Sequence, residues 1–209
     1  MRLRESLLAH PWCYGIVSSL VDRYKLRAIG RLRQDFSGLR VLDLGCGIGN
    51  AARLFKGSDY TGIDINRSYI SIASRSYPDL NFIAGDATRV QWGGGFDLIL
   101  INSFLHHLDN GPALEILKQS SAALRPDGRI IVQEPLRPRN SERFGRLMAS
   151  LDRGKYFRTR EEWDKLFGLA GLLPVNVSHY SIRILGLEGY KMISVSLGRF
   201  NETSSIRVG

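Results

Sequence analysis

Three aspartates stand at the ends of short apolar runs: Asp43 in "VLDLGCGIGN", Asp64 in "YTGIDI" and Asp86 in "FIAGDAT". A fourth run, "FDLILINSFLHHL", leads from Asn102 into the paired His106 and His107. Carboxylates at such places accept hydrogen bonds or balance a cation, and imidazoles move protons near neutral pH. After Asp43 come Gly45, Gly47 and Gly49, spaced G-x-G-x-G. Glycine lets a backbone approach a ligand closely. The dinucleotide fingerprint is G-x-G-x-x-G, with its pyrophosphate on a helix N-terminus. Here Asn50 occupies the place of the third glycine, so a ligand other than NAD is expected.

Asp43 narrows the choice. Beside a pyrophosphate its charge would repel; beside an ammonium it would attract. A ligand with both an amine and a carboxylate would satisfy Asp43 and the start of the helix expected after the glycines. Asp64 lies where an acid accepts hydrogen bonds from both ribose hydroxyls. Asp86 can accept from an adenine amino group, the Ala87 N–H can donate to the ring, and Ile48 and Ile65 can hold the base between them. The composite is an adenosine carrying an amino acid: S-adenosylmethionine.

These residues need a scaffold that gathers strand ends. "LRVLDLG", "SDYTGIDI", "LNFIAGD", "FDLILINSFL" and "RIIVQEP" read as strands; "NAARLFK", "NRSYISIASRSY" and "GPALEILKQSSAALRPDG" read as helices among them. Asn66 suits a helix cap, and Pro112 suits a first helical turn. Such alternation predicts a parallel sheet with helices on both faces and ligands at the carboxyl ends of its strands. Helical stretches follow at 143–151 and 159–169. Then "LLPVNVSHYSI" and "GYKMISVSLG", separated only around Leu185–Glu188, should form an antiparallel pair. The expected fold is α/β and doubly wound, a mostly parallel seven-stranded sheet with an antiparallel last strand. "LLAHPWCYGIVSSLVDRYKLRAIGRLRQ" reads as two helices, with Pro11 near a start or break.

The ordered set "VLDLGCGIGN", "YTGIDI", "FIAGDAT", "FDLILINSFLHHL" and "LRPDGRIIVQEP" resembles the class I S-adenosylmethionine-dependent methyltransferases, small bacterial type 11/12-like members in particular. The resemblance implies a Rossmann-like catalytic domain over residues 38–200, a helical cap at 1–37, a helical lid at 137–170 and a flexible tail at 201–209. It implies cofactor contacts from Asp43, Gly45, Cys46, Gly47, Asp64, Ile65, Asp86, Ala87 and Asn102. Cys46 reads as a small packing residue rather than a nucleophile.

Methyl transfer from a sulfonium is an in-line displacement, so alignment and proton removal are what the protein must supply. The fourth strand's end faces the methyl group. Its Asn102-Ser103-Phe104 lacks the two prolines of the Asn/Asp-Pro-Pro-aromatic box common in enzymes that methylate nucleobase or amide nitrogens. His107, then His106, are the candidate bases, with a structural histidine pair as the alternative. No metal site is expected.

Charge marks the acceptor side. Residues 137–160 carry 8 Lys/Arg against 2 Asp/Glu, whereas residues 41–136 carry 8 against 10. Within that segment "DRGKYFRTREEW" resembles a box found in a group of small bacterial class I methyltransferases. Arg153, Tyr156 and Arg158 are expected to hold a carboxylate or phosphate of the acceptor, since guanidinium forks bind such groups bidentately. The alternative is that the arginines brace the lid through Asp152 or Glu134. The leading function is methylation, at oxygen, of a small anionic or surface-bound acceptor. An RNA or protein methyltransferase and a non-catalytic cofactor-binding partner are the alternatives; the first ranks second and nucleic acid is not the expected partner, since the nitrogen-type box is missing and no appended nucleic-acid module is expected.

Bulk composition agrees. The chain's 209 residues suffice for one α/β domain. Its two cysteines, Cys13 and Cys46, give neither a zinc motif nor a disulfide framework, which suits a reducing, cytoplasmic setting. The "SLLAHPWCYGIVSSLV" stretch is interrupted by His10 and Pro11 and is too short for a membrane span.

Overall fold

The central apolar runs become strands because their side chains alternate between two covered faces. A computed structural model describes residues 11–32, 35–184 and 186–200, with side chains from residue 21 onward except Leu32. The strands are β1 (Arg40–Leu44), β2 (Asp59–Asp64), β3 (Asn81–Ala84), β4 (Phe96–Asn102), β5 (Leu124–Pro135), β6 (Leu172–Ile184) and β7 (Leu187–Arg199). They lie in the order β3-β2-β1-β4-β5-β7-β6. β1 to β5 pair in parallel, and β7 runs antiparallel to both β5 and β6. The expected doubly wound sheet and closing hairpin are both present. Strand order reverses between β1 and β4, which opens a crevice at their carboxyl ends.

On one face Leu42, Leu44, Ile99, Ile101, Ile130 and Val132 join one core cluster with residues of α3 (Asn110–Ala123) and α5 (Arg160–Leu169). On the other, Val41, Leu98, Leu100 and Ile131 join Leu26 and Ile29 of α1 (Pro11–Leu32) and Phe55 of a 3-10 turn, Ala52–Phe55. The strand period therefore puts Asp43, two residues after Val41, on the α1 side. α2 (Arg67–Ser76) is capped by Asn66, whose side chain accepts from the Ser68 and Tyr69 N–H groups. α5 opens with a full capping box between Thr159 and Glu162.

The structure departs from the sequence reading in three places. "NAARLFK" forms only the 3-10 turn, not an α-helix. Residues 50–58 must both leave the glycine loop and turn at Gly57, with φ +81°, into β2, which leaves no length for a helix. The glycine loop thus has no helix dipole behind it. Pro11 does stand at a helix start, that of α1; the earlier part of the two-helix reading, the first ten residues of the cap and the tail at 201–209 lie outside the described residues. The Pro-Asp-Gly segment does not end a helix but bulges from β5, between the pairs Phe96↔Leu124 and Leu98↔Arg129. The expected lid divides: α4 (Arg143–Leu151) packs on β7, while α5 belongs to the core, with Trp163 and Phe167 fully buried.

Candidate active site

The glycine loop is pinned from behind. The N–H groups of Gly45 and Cys46 both donate to the Ile63 carbonyl, at 2.9 and 3.0 Å. Asp64 accepts from the Gly47 N–H at 3.0 Å and the Asn66 N–H at 2.8 Å, so both its oxygens are aimed and each keeps a lone pair. Above Gly47, at φ +57°, no heavy atom lies within 4 Å of where a Cβ would stand. Ile48 and Ile65 are 38% and 72% exposed, an apolar pair at the mouth. The Oδ1 of Asn102 is buried and accepts no hydrogen bond among the described residues. An orphaned acceptor costs roughly 1–3 kcal/mol, which a ligand's donor would recover. An open glycine backbone, an aimed carboxylate, exposed isoleucines and an orphaned amide oxygen fit an adenosine bearing an amino acid.

Other members of the expected set sit differently. Asp43 is buried beneath the loop and accepts from the Tyr60 hydroxyl at 2.7 Å; burial pushes its carboxyl up to about 7. A ligand ammonium beside it would hold it ionised. Cys46 is buried, its thiol pushed up by burial, and its Sγ would lie 3.0 Å from a Cβ at Gly62. It packs the loop against β2. Asp86 accepts from the Thr88 N–H and hydroxyl at 3.0 and 2.7 Å and pairs with Arg89 at 3.3 Å. Its Thr88 bonds hold it below the usual carboxylate range. The Ala87 N–H makes no hydrogen bond among the described residues.

Ser103, at φ +53°, turns the chain out of β4 and donates its N–H to the Gln133 carbonyl at 2.7 Å. A left-handed non-glycine residue here is the backbone strain that active sites hold. The turn delivers His106 onto Glu134. That fully buried carboxylate accepts from the N–H groups of Phe104 and Leu105, at 2.8 and 2.7 Å, and lies 2.7 Å from His106 Nδ1. His106 Nε2 faces Asp152 at 3.5 Å. Asp152 also accepts from the Gly154 N–H and the Tyr190 hydroxyl, each at 2.7 Å. A Cβ at Gly154 would overlap the His106 ring, so only glycine admits this approach.

Burial alone would push the His106 imidazole down; its two carboxylates outweigh that and raise it to about 9. Burial likewise opposes the Asp152 charge, but hydrogen bonds from His106, Gly154 and Tyr190 hold it well below the usual range. His106 is therefore an imidazolium clasped between β5 and the end of α4. His107 is exposed, and partial burial and the His106 cation push it down, so it is a neutral imidazole at pH 7. His106, His107 and Asp152 offer ligand atoms within 4.8 Å of one another, but a proton on His106 already satisfies both carboxylates.

A methyltransferase domain family matches residues 18–177. The chain belongs to that family. Demethylmenaquinone methyltransferase of Beutenbergia cavernae is 36% identical over 100 residues, covering 46% of this chain and 41% of that protein. (RS)-norcoclaurine 6-O-methyltransferase of Thalictrum flavum subsp. glaucum is 29% identical over 168 residues, covering 74% and 47%. This methyltransferase chain thus spans about half or less of the length of these two relatives. The magnesium protoporphyrin IX methyltransferase of Synechocystis PCC 6803, solved with bound SAH, shares the fold with a TM-score of 0.66 at 17% identity over 88% of this chain and 84% of that one. The Rossmann-like class I fold is that of S-adenosylmethionine-dependent methyltransferases.

On the acceptor side of this methyltransferase the three expected residues differ in exposure: Arg153 and Tyr156 are exposed and Arg158 is buried. Arg158 borders the same cleft as Tyr156 but is 3% exposed and stacked over Trp163 at 4.8 Å. Its guanidinium donates to the carbonyls of Leu105, Leu108 and Tyr156 and to Asn110 Oδ1, at 2.7–3.2 Å. It braces, as the alternative held, but through these oxygens rather than Asp152 or Glu134. Arg153 is exposed near His107. Tyr156 is 40% exposed and lines a cleft of about 620 Å³ with Arg137, Arg146 and Lys155.

Replacing Arg158 with alanine should cost ~2–4 kcal/mol, because three carbonyls lose a charged donor inside the fold. Melting should fall by roughly 5–15 °C. An unchanged melting temperature would return Arg158 to the acceptor.

Sequence reasoning missed the clasp. An acid inside the apolar "RIIVQEP" was its visible signal. It also missed Lys25 of α1, whose ammonium burial pushes down beside Asp22, Glu134 and Asp152.

Proposed function

We propose that this methyltransferase binds S-adenosylmethionine in the crevice at the ends of β1 to β4 and methylates an oxygen of a small, anionic acceptor. Bound there, S-adenosylmethionine supplies an electrophilic methyl carbon. Gly47, Asp64, Asp86, Ala87 and Asn102 hold and orient it, and Asp43 balances its ammonium. His107 accepts the acceptor hydroxyl's proton, and Arg153 and Tyr156 orient the anionic group. The observation that carries the reading is the pairing at the end of β4: His107 beside a clasped, charged His106, its imidazole pushed down by partial burial and by that cation. A neutral imidazole is suited to general-base catalysis. The oxygen acceptor is supported by norcoclaurine 6-O-methyltransferase among the relatives.

Tritiated methyl transfer to a panel of phenols, carboxylic acids, quinols and RNA tests the reading. With the acceptor that is labelled, His107→Gln should lower turnover by at least ~100-fold, with cofactor affinity unchanged. Equal turnover in the variant removes His107 as base, and label only in RNA would favour the nucleic-acid alternative.

A further inference from the structure

The lid helix α4 is covered on one face and bare on the other. Its inner face carries Gly145, where a Cβ would lie 2.8 Å from the Gly189 carbonyl of β7, with Phe144 and Met148 beside the same residue. Its outer face is Arg143, Arg146, Leu147, Ser150 and Leu151, all exposed at i, i+3, i+4, i+7 and i+8. Leu147 and Leu151 are 44% and 40% exposed. A single bare leucine is ordinary on a soluble protein. Here two lie one turn apart, flanked by arginines whose side chains have no partner among the described residues.

Acids are missing from this face. The helix "RFGRLMASL" contains none; Glu142 ahead of it is taken by Lys191 at 2.7 Å, and Asp152 after it turns inward to His106 and Tyr190. Lys155 and the 40%-exposed Tyr156 line the adjoining cleft with Arg146; of the cleft's two acids, Asp109 and Glu162, the second is paired with Arg137 at 2.8 Å. Leucines on a cationic helical face, with a tyrosine near it, match the interfacial pattern: apolar groups enter the acyl boundary while guanidiniums meet phosphates. A second copy would oppose arginine to arginine. A nucleic acid would leave the leucines unused.

We propose that the outer face of α4 docks on an anionic membrane surface. The docking does not depend on which acceptor is methylated. It is tested by sedimenting the full chain with vesicles of phosphatidylcholine alone or mixed with phosphatidylglycerol. Binding should appear with the anionic vesicles and weaken in high salt. Arg143→Ala with Arg146→Ala should lower partitioning roughly fivefold for each charge. Leu147→Ser with Leu151→Ser should also lower it, with melting temperature unchanged in both double variants. The proposal fails if the chain ignores both vesicle types, if neither double variant alters partitioning, or if the same face instead mediates self-association or RNA binding.

Discussion

Gly47→Val should abolish measurable S-adenosylmethionine binding, a loss of more than about 100-fold in affinity, or ~2.7 kcal/mol. Two effects add. At φ +57° an L side chain is strained by roughly 1–2 kcal/mol, and a branched one more so. Relief of that strain would rotate the N–H away from Asp64, whose aim depends on the 3.0 Å bond from Gly47. The new methyl groups would also stand in the open space above the loop, where the proposed ligand's backbone approach occurs. Gly38 separates the two effects: it has φ +70° and nothing within 4 Å, but it lies in the turn before β1. Gly38→Val should lower melting temperature yet bind the cofactor normally. Calorimetry on both variants decides. Normal binding by Gly47→Val, or equal loss in both, would mean that the crevice over this loop is not the cofactor site.

The strands were legible because parallel strands buried on both faces are written as continuous apolar runs, and "FDLILIN" or "RIIVQ" has no other stable use. The hairpin was legible because too few residues separate its strands to hold a crossover helix. The cap at Asn66 was legible from side-chain chemistry alone. What failed depended on lengths and on distant partners. Nothing local in "NAARLFK" forbids a helix; the short path to β2 does. Arg158 read as an acceptor contact, or as a brace on Asp152 or Glu134, because its segment is basic, yet its guanidinium is held by carbonyls of residues 105 and 108, some fifty positions earlier. The histidine pair was seen, but its division into a clasped cation and a neutral neighbour required Glu134 and Asp152, which only the fold brings to it.

That division makes stability pH-dependent. Below its ordinary value near 6.5, His106 would be charged whether folded or not, and the clasp contributes fully. As pH rises through about 9 the folded protein loses this proton, and the contribution is lost. Asp152 works in the opposite sense: its folded-state value is depressed, so its contribution is present above about 4 and disappears in acid. Other groups meet the clasp from each packed element: Lys25 from α1 and Tyr180 from β6 act on Glu134, and His107 and Arg153 lie beside the ring. Burial pushes Lys25 and His107 down, opposite to His106, and pushes Tyr180 up from a value already near 10. Glu134→Ala removes an anion that satisfies two short backbone N–H bonds and a buried imidazolium, so it should cost ~3–5 kcal/mol. His106→Gln keeps a polar side chain but cannot carry the charge. Its melting temperature should be lower than that of the natural protein at pH 7, and the difference should shrink as pH approaches 9.5. A constant difference across that range would show that His106 is not held as a cation. The clasp would then be an ordinary neutral hydrogen bond, and partial burial alone would push His107 down.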